Sequence, residues 1–175
     1  MSFSFQAPVN SVSFGQVSYA LLREMLDRGL DFSFFPIGSV DLKSQDSADK
    51  DFSNSLEALI RKGYTHHSRT YPSLKIWHMN GGLESVSEKQ LLLTFYELNK
   101  PTQPELNAVR NNNTVFTSQY TVDVFKEAGV ETSYVPLFFD KINFQTKDKK
   151  YFSDDRIVFN LCGKFEKRKH HGKIL

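Results

Sequence analysis

The sequence predicts an α/β domain with a parallel β-sheet and helices on both faces. Two observations carry this prediction. Short segments with the composition of strands alternate along the chain with amphipathic segments of helical period, and the loops between them are short. The chain has 175 residues, of which 39% are hydrophobic and 24% charged, so it is long enough for one such domain and is globular in composition.

The predicted strands are short and end at turn residues. Residues 2–6 alternate serine and phenylalanine with period two, which is typical of a strand. The run 91–96 fits either helix or strand by its period, and we favour strand for its later half because Pro101 and Pro104 follow. The other strands are predicted over 31–37, 74–79, 114–117 and 132–137.

The predicted helices alternate with these strands. The first follows the turn-rich loop around Gly15 and ends at Gly29, and the second ends at Gly63, because glycine readily adopts the left-handed C-terminal conformation. Three shorter helices are predicted: one from the capping-box spacing of Ser85 and Glu88, one over 104–110, and one from an N-cap at Ser118 to Gly129.

The end of the chain differs in charge and predicts a second domain. Residues 140–155 have the composition of a solvated linker, and 156–175 hold an apolar strand pattern followed by Gly163 and a basic run. From Gly163 onward five Lys or Arg residues stand against Glu166, a net charge of +4, so that the preceding residues carry −2 and the whole chain +2. We expect a fragment, with domain 1–139 nearly complete and the helix start of a second domain cut short.

Several classes are excluded by composition. No apolar run approaches the roughly 18 residues of a transmembrane helix, and the N-terminus does not resemble a signal peptide, so we expect a cytoplasmic protein. The single cysteine, Cys162, excludes a disulfide framework and a cysteine-based metal cluster, and a buried structural role is the common one. His66 and His67 lack partners at ligand spacing, so we expect surface residues and no metal.

Four candidate site residues lie at or after the ends of predicted strands, where open parallel sheets bind ligands. Gly15 precedes a helix N-terminus that suits a phosphate, although an ordinary strand-to-helix turn is the commoner meaning. His78, before two glycines, can bind a hydroxyl or carry a proton, with a buried structural histidine as the alternative. Glu97 can bind hydroxyls or act as a base, with a solvated loop glutamate as the alternative, and Ser118 lies in the next such loop.

The strongest candidate is the basic group Lys164, Arg168 and Lys169. Charge, a glycine turn and the end of a strand coincide there, and Arg and Lys together suit a diphosphate. A basic run is more often a solvated face or a nucleic-acid patch. The apolar strand before it favours the phosphate site, and no aromatic recognition motif for nucleic acid is present.

Two stretches resemble the two-domain glycosyltransferases of the GT-B fold, most closely the retaining group called family 4. Residues 115–130, ending in Ala-Gly-Val, and 134–140, with Val-Pro, are similar to the end of that family's N-terminal domain. Residues 159–170, with Gly-Lys and then Arg-Lys, are similar to the opening of its nucleotide-sugar domain. The chain departs from the family at 137–139, where Leu-Phe-Phe replaces Asn-Gly-Val, and in having one glycine in the first loop. The family's Glu-x7-Glu motif is absent, as expected for a fragment.

The resemblance implies a Rossmann-like, acceptor-side N-terminal domain and transfer of a sugar, with retention, from a nucleotide-sugar donor to a glycan, lipid-linked or protein acceptor. It assigns the donor diphosphate to Lys164, Arg168 and Lys169, and requires no cofactor or metal. The Gly15 loop would lie against the donor phosphates or the acceptor. His78, Glu97 and Ser118 are then acceptor-side residues, the first two also weak catalytic candidates.

The same resemblance implies no nucleic-acid partner, leaves room for a peripheral membrane contact, and predicts that the 175 residues alone are inactive. Two alternatives stay open. One is a non-catalytic α/β binding module with a basic phosphate- or nucleic-acid-binding end. The other is an inverting GT-B enzyme, which keeps the fold and differs in the stereochemistry of its product.

Overall fold

The fold comes from a computed structural model, which describes residues 2–43, 45, 48–138, 140 and 173. The chain divides into two units, Met1–Phe144 and Gln145–Leu175, and every described residue except Lys173 belongs to the first. The predicted linker 140–155, apart from Asp140, and the predicted second domain 156–175, apart from Lys173, lie outside the described residues.

Strands and helices alternate throughout the described part of the chain. The strands are β1 Phe3–Ala7, β2 Phe32–Pro36, β3 Ser73–Ile76, β4 Gln90–Thr94, β5 Asn113–Phe116 and β6 Ser133–Tyr134. The helices are α1 Ser13–Asp27, α2 Lys50–Thr65, α3 Gln103–Arg110 and α4 Gln119–Glu127, with a 3₁₀ turn at Met79–Gly81. Local signals start two of these helices. Asp49 Oδ1 accepts the Phe52 N–H at the start of α2, and Thr102 and Glu105 form a capping box on α3.

The described strands form one all-parallel sheet in the order β2-β1-β3-β4-β5-β6, flanked by helices. The prediction of an α/β fold with a parallel sheet is confirmed, and the order is consistent with a Rossmann-like architecture. The chain leaves β1 toward β2 and then returns past β1 to β3. This reversal places the loops after β1 and β3 side by side at the carboxyl edge of the sheet.

One face of the sheet is apolar. The parallel register places Phe5 beside Phe34 on one side and Leu74 on the other, and α1 packs over this face through Leu22 and Met25. The core on this face includes the strand residues Phe5, Ala7, Phe32, Phe34, Ile76, Leu93 and Val115.

The opposite face is polar near the amino ends of the strands. The register aligns Ser33, Ser4, Ser73 and Gln90 in one row across four strands, and places Gln6 beside Lys75 in the next. Toward the carboxyl ends this face turns apolar, where α3 and α4 cover it. The residues of this second cluster are Met79, Val109, Phe116, Val124, Phe125 and Val130.

Several predicted boundaries are confirmed. Gly29 and Gly129 have φ values of 63° and 76° just after α1 and α4, as expected for left-handed C-terminal stops. Ser118 is the N-cap residue of α4, although its side chain makes no capping hydrogen bond.

Four predictions are wrong. Gly63 lies inside α2, where it packs against the Phe34 carbonyl. No helix starts at Ser85, because its hydroxyl and that of Ser87 bond to nearby backbone carbonyls instead. Strand β4 covers Gln90–Thr94, the earlier part of its apolar run, and β6 has only the residues Ser133–Tyr134.

Among the described residues, no helix combines the length and hydropathy of a membrane span.

Candidate active site at the carboxyl edge of the sheet

Loops from three strands meet around the ring of Phe14. Phe14 lies in the first turn of α1, after β1, and its ring stacks on that of Phe95, after β4, with centroids 4.4 Å apart. The ring of His78, after β3, meets the Phe14 ring edge to face at 4.5 Å. Phe14 is buried, whereas His78 is exposed, so the imidazole is held at the surface on an aromatic base. We call Phe14, Trp77, His78 and Phe95 the edge cluster.

The exposure of His78 tests one of the two interpretations of this residue. The alternative of a buried structural histidine is wrong, and the ring is available to a ligand. Trp77 is half-buried beside His78. The centroid of its ring lies 5.1 Å from that of the His78 ring and 6.0 Å from that of the Phe14 ring. Because the sequence contains a single tryptophan, its fluorescence reports on this edge alone.

The N-terminus of α1 opens toward the same edge. Its N-cap residue is Val12, no side chain among the described residues caps it, and its first turn contains no acidic residue. Asn10 Oδ1 accepts the Val12 N–H at 3.1 Å and shapes the loop before the helix. The next N–H groups and the helix dipole favour a negatively charged or hydroxyl-bearing ligand.

Gly15 belongs to this helix and not to the loop before it, which corrects the predicted position. Its role is close packing, because a Cβ atom there would lie 2.2 Å from Asn10 Oδ1 and 2.5 Å from the Asn10 backbone N and O. Gly15 thereby lets the first turn of α1 sit directly on its leading loop. A phosphate contact through this residue would involve the helix N-terminus.

Two glycines after His78 have a similar packing role. A Cβ on Gly81 would lie 2.7 Å from Trp77 Cδ1, and one on Gly82 would lie 2.7 Å from Leu92 Cδ2. The space beside these two glycines is therefore filled by protein side chains. The backbone turns sharply here because it must close over Trp77.

A buried lysine holds the segment that carries His78. Lys75 is 1% exposed, and its Nζ donates to the carbonyl oxygens of Gly81 and Glu84, both at 2.6 Å. Burial lowers the pKa of this lysine below its ordinary value, an effect that Glu84 opposes. His67 connects the same segment to β1. Its ring forms hydrogen bonds with Ser4 Oγ at 3.2 Å and with the Val86 carbonyl at 2.7 Å.

The position of His67 corrects the expectation that both neighbouring histidines are surface residues. His66 is exposed, as predicted, but His67 is half-buried between β1 and the segment after β3.

The loop that carries Glu97 is fixed between α3 and α4. Thr121 Oγ1 donates to the Tyr96 carbonyl at 3.0 Å, and the Tyr96 hydroxyl donates to Glu105 Oε2 at 3.3 Å. Burial, with a further contribution from the Glu105 carboxylate, raises the pKa of Tyr96 to about 12, so this hydroxyl stays a donor. Glu97 itself is exposed and follows Phe95 by two residues.

The predicted site residues are thus distributed along one edge. His78 contacts the edge cluster directly, Glu97 follows it in sequence, and Ser118 lies half-buried at the start of α4, beyond the neighbouring strand β5. The predicted diphosphate ligands Lys164, Arg168 and Lys169 lie outside the described residues.

Sequence reasoning missed the aromatic partners Phe14, Trp77 and Phe95. The available signal was an aromatic residue directly after two successive strands. Among the described residues, no group of three or more His, Cys, Asp or Glu side chains is arranged to hold a metal ion.

The fold defines an α/β domain with a parallel, Rossmann-like sheet and a candidate site at its carboxyl edge. Comparisons of the chain with protein-family models, with curated proteins and with solved structures return no match.

Proposed function

We propose that the chain is the acceptor-side half of a GT-B glycosyltransferase that moves a sugar, with retention, from a nucleotide-sugar donor to an acceptor hydroxyl. The sequence resemblance at 115–140 and 159–170 motivates the proposal. The parallel sheet agrees with it at the level of the fold, which many unrelated functions share.

The observation that carries the proposal is the contact of Phe14 with both His78 and Phe95. It joins the helix that follows β1 to the loops that follow β3 and β4, at the edge where parallel sheets bind ligands. An exposed imidazole and the uncapped N-terminus of α1 then lie at the same edge of the sheet, and Glu97 follows Phe95 by two residues in the sequence.

Each group has a role that suits its chemistry. The imidazole of His78 can donate to or accept from an acceptor hydroxyl, and Glu97 can accept its proton. The α1 N-terminus and Ser118 can bind phosphate or hydroxyl oxygens. Lys164, Arg168 and Lys169 would neutralise the leaving diphosphate, which is electrostatic stabilisation without a resident metal.

Ligand binding is tested by titrating the chain with glycan and lipid-linked acceptors, and with nucleotide sugars for comparison, while recording Trp77 fluorescence. The proposal expects a saturable change for at least one acceptor, because His78 lies on the acceptor side. His78→Ala should weaken binding about tenfold, as expected for loss of one or two hydrogen bonds. His66→Ala is the matched control, since this exposed histidine lies after α2, and it should bind as the wild type does.

Transfer itself is tested on the whole translated reading frame by measuring nucleoside diphosphate release in the presence of glycan and lipid acceptors. Arg168→Ala should lower turnover about 100-fold, the size expected for removing one preorganised charge contact. Lys126→Ala, an exposed cation on α4, should leave turnover unchanged.

Three other outcomes of these assays would count against the proposal. Nucleotide binding without transfer would favour the non-catalytic binding module, and inverted product stereochemistry would favour the inverting enzyme. Sugar transfer by the 175 residues alone would contradict the assignment of the chain as one half of the enzyme.

A further inference from the structure

A cavity opens at the amino edge of the sheet, where β3, β4 and β5 begin. Its volume is about 690 Å³, within the range of small-molecule sites. Ser73 lies at this amino edge, and Trp77, four residues later, lies at the carboxyl edge. An extended segment of that length spans about 13 Å, which is the separation of the two edges. The lining is mainly amide and hydroxyl side chains, and includes Ser73, Ser85, Ser87, Gln90, Asn111 and Asn112.

Two residues that line the cavity each have a side-chain oxygen that is buried without a hydrogen-bond partner among the described residues. These oxygens are Ser73 Oγ and Gln90 Oε1, and Ser73 is only 4% exposed. Both belong to the polar row of the sheet. An unpaired buried polar group is costly and uncommon in native proteins, so two on residues that line the same cavity indicate a missing partner.

The orientation of the Gln90 amide is fixed by its neighbours. Gln90 Nε2 donates to the Gly82 carbonyl at 2.5 Å, and Asn112 Nδ2 donates to the same oxygen at 2.6 Å. Because only the nitrogen end of the amide can donate to a carbonyl, the oxygen end must remain the acceptor. The Gln90 oxygen therefore needs a ligand that supplies a hydrogen.

The chemistry of the lining restricts that ligand. A phosphate ion at neutral pH is mainly an acceptor of hydrogen bonds, so it suits an acceptor such as Gln90 Oε1 poorly. The charged residues of the lining, Glu88 and Lys89, have opposite signs, so the cavity has no net charge that would attract an anion. A hydroxyl can both donate and accept, and it matches Ser73 Oγ as well as Gln90 Oε1.

We propose that this cavity binds a neutral polyhydroxylated small molecule, such as a monosaccharide or a cyclitol. The inference does not rest on the proposed glycosyltransferase function, because it concerns the other edge of the sheet. An experiment that disproves polyol binding at this cavity therefore leaves the proposed glycosyltransferase function untouched, and the reverse also holds.

The experiment is an amide NMR titration of the chain with glucose, galactose, N-acetylglucosamine and myo-inositol, and with inorganic phosphate for comparison. At least one of the polyols should shift the resonances of residues 89–91 and 111–113 in a saturable manner. Phosphate should not shift them. Binding that involves only the carboxyl edge would instead shift the Trp77 indole resonance.

Ser73→Ala should weaken the polyol affinity about fivefold to tenfold, as expected for one hydrogen bond. Ser33→Ala is the matched control, because this serine is 3% exposed in the same row of the sheet but does not line the cavity. It should retain the wild-type affinity. The proposal is overturned if none of the polyols shifts these resonances, if phosphate shifts them equally, or if Ser73→Ala binds as tightly as the wild type.

Discussion

The two faces of the sheet are built from the same strands but differ in what they bury. On β1, Phe5 faces the apolar core and the adjacent Gln6 faces the polar side, where it neighbours Lys75. Parallel sheets are usually apolar on both faces because helices cover both. A row of serines with Gln90 across such a sheet departs from that rule and requires a reason beyond packing.

The two faces differ in how their buried side chains are satisfied. The apolar face packs aromatic rings in pairs, such as Phe5 with Phe34 at 5.6 Å. The polar face contains four side-chain oxygens without a hydrogen-bond partner among the described residues: Gln6 Oε1, Ser73 Oγ, Gln90 Oε1 and Thr114 Oγ1. Unpaired buried groups lower the stability of the folded chain. Natural proteins tolerate them mainly at sites that bind ligands.

Substitutions of two adjacent residues of β1 test whether the two faces contribute differently to stability. Phe5→Ala removes a fully buried ring and should lower the free energy of unfolding by about 3–5 kcal/mol. Gln6→Ala removes an unpaired oxygen and should change it by less than about 1 kcal/mol. Urea unfolding measures both, and equal losses would show that the two faces contribute alike.

The exception on the polar face is Lys75, whose Nζ donates hydrogen bonds to two backbone carbonyls. Lys75→Met leaves the Gly81 and Glu84 carbonyls without their donor. We therefore expect the free energy of unfolding, measured in urea, to fall by about 1–3 kcal/mol. The control Lys126→Met, at an exposed position of α4, should change stability by less than about 0.5 kcal/mol. A Lys75→Met protein as stable as the wild type would show that the segment after β3 is held by other contacts.

The carboxyl edge can be tested through Gly15. Gly15→Ala forces Asn10 and the first turn of α1 apart. We therefore expect the free energy of unfolding, measured in urea, to fall by about 1–2 kcal/mol. The Trp77 emission spectrum should shift, because Phe14 moves with the helix. Ala20→Gly, at a half-buried position further along α1, is the control that should destabilise by about 1 kcal/mol without that spectral shift.

The smallest effect concerns pH and again distinguishes Lys75. Its pKa in the folded chain lies below the ordinary value of 10.5, so the unfolded chain holds the proton more tightly. The resulting penalty is present at neutral pH and is relieved as the pH rises through the folded pKa toward 10.5. The stability advantage of the wild type over Lys75→Met should therefore grow between pH 7 and about pH 10. An advantage that falls over this range contradicts burial as the dominant cause.

Much of the fold can be predicted from local sequence patterns. The serine–phenylalanine alternation of β1 and the stops at Gly29 and Gly129 act within a few residues, so they were predictable. Gly15 and Gly63 were misassigned because each is required by a packing contact with a neighbouring segment. A glycine that allows close approach and one that ends a helix have the same sequence signature.

The candidate sites were predictable only in part. That His78 follows a strand can be read from its neighbours, but its contact with Phe14 depends on the strand order β1-β3-β4. The polar row depends on the register between β1, β2, β3 and β4, which no single segment contains. One signal was available, since polar alternation in several strands of a parallel sheet already implies a polar face.

The central claim is that the unpaired buried oxygens of the polar row do not stabilise the fold. Urea unfolding of Ser73→Ala, without any ligand, tests it most directly. We predict a free energy of unfolding equal to that of the wild type or higher by up to about 1 kcal/mol, because the substitution removes an unpaired buried hydroxyl. A loss of more than about 1 kcal/mol would contradict the claim, since it would show that this hydroxyl stabilises the folded chain.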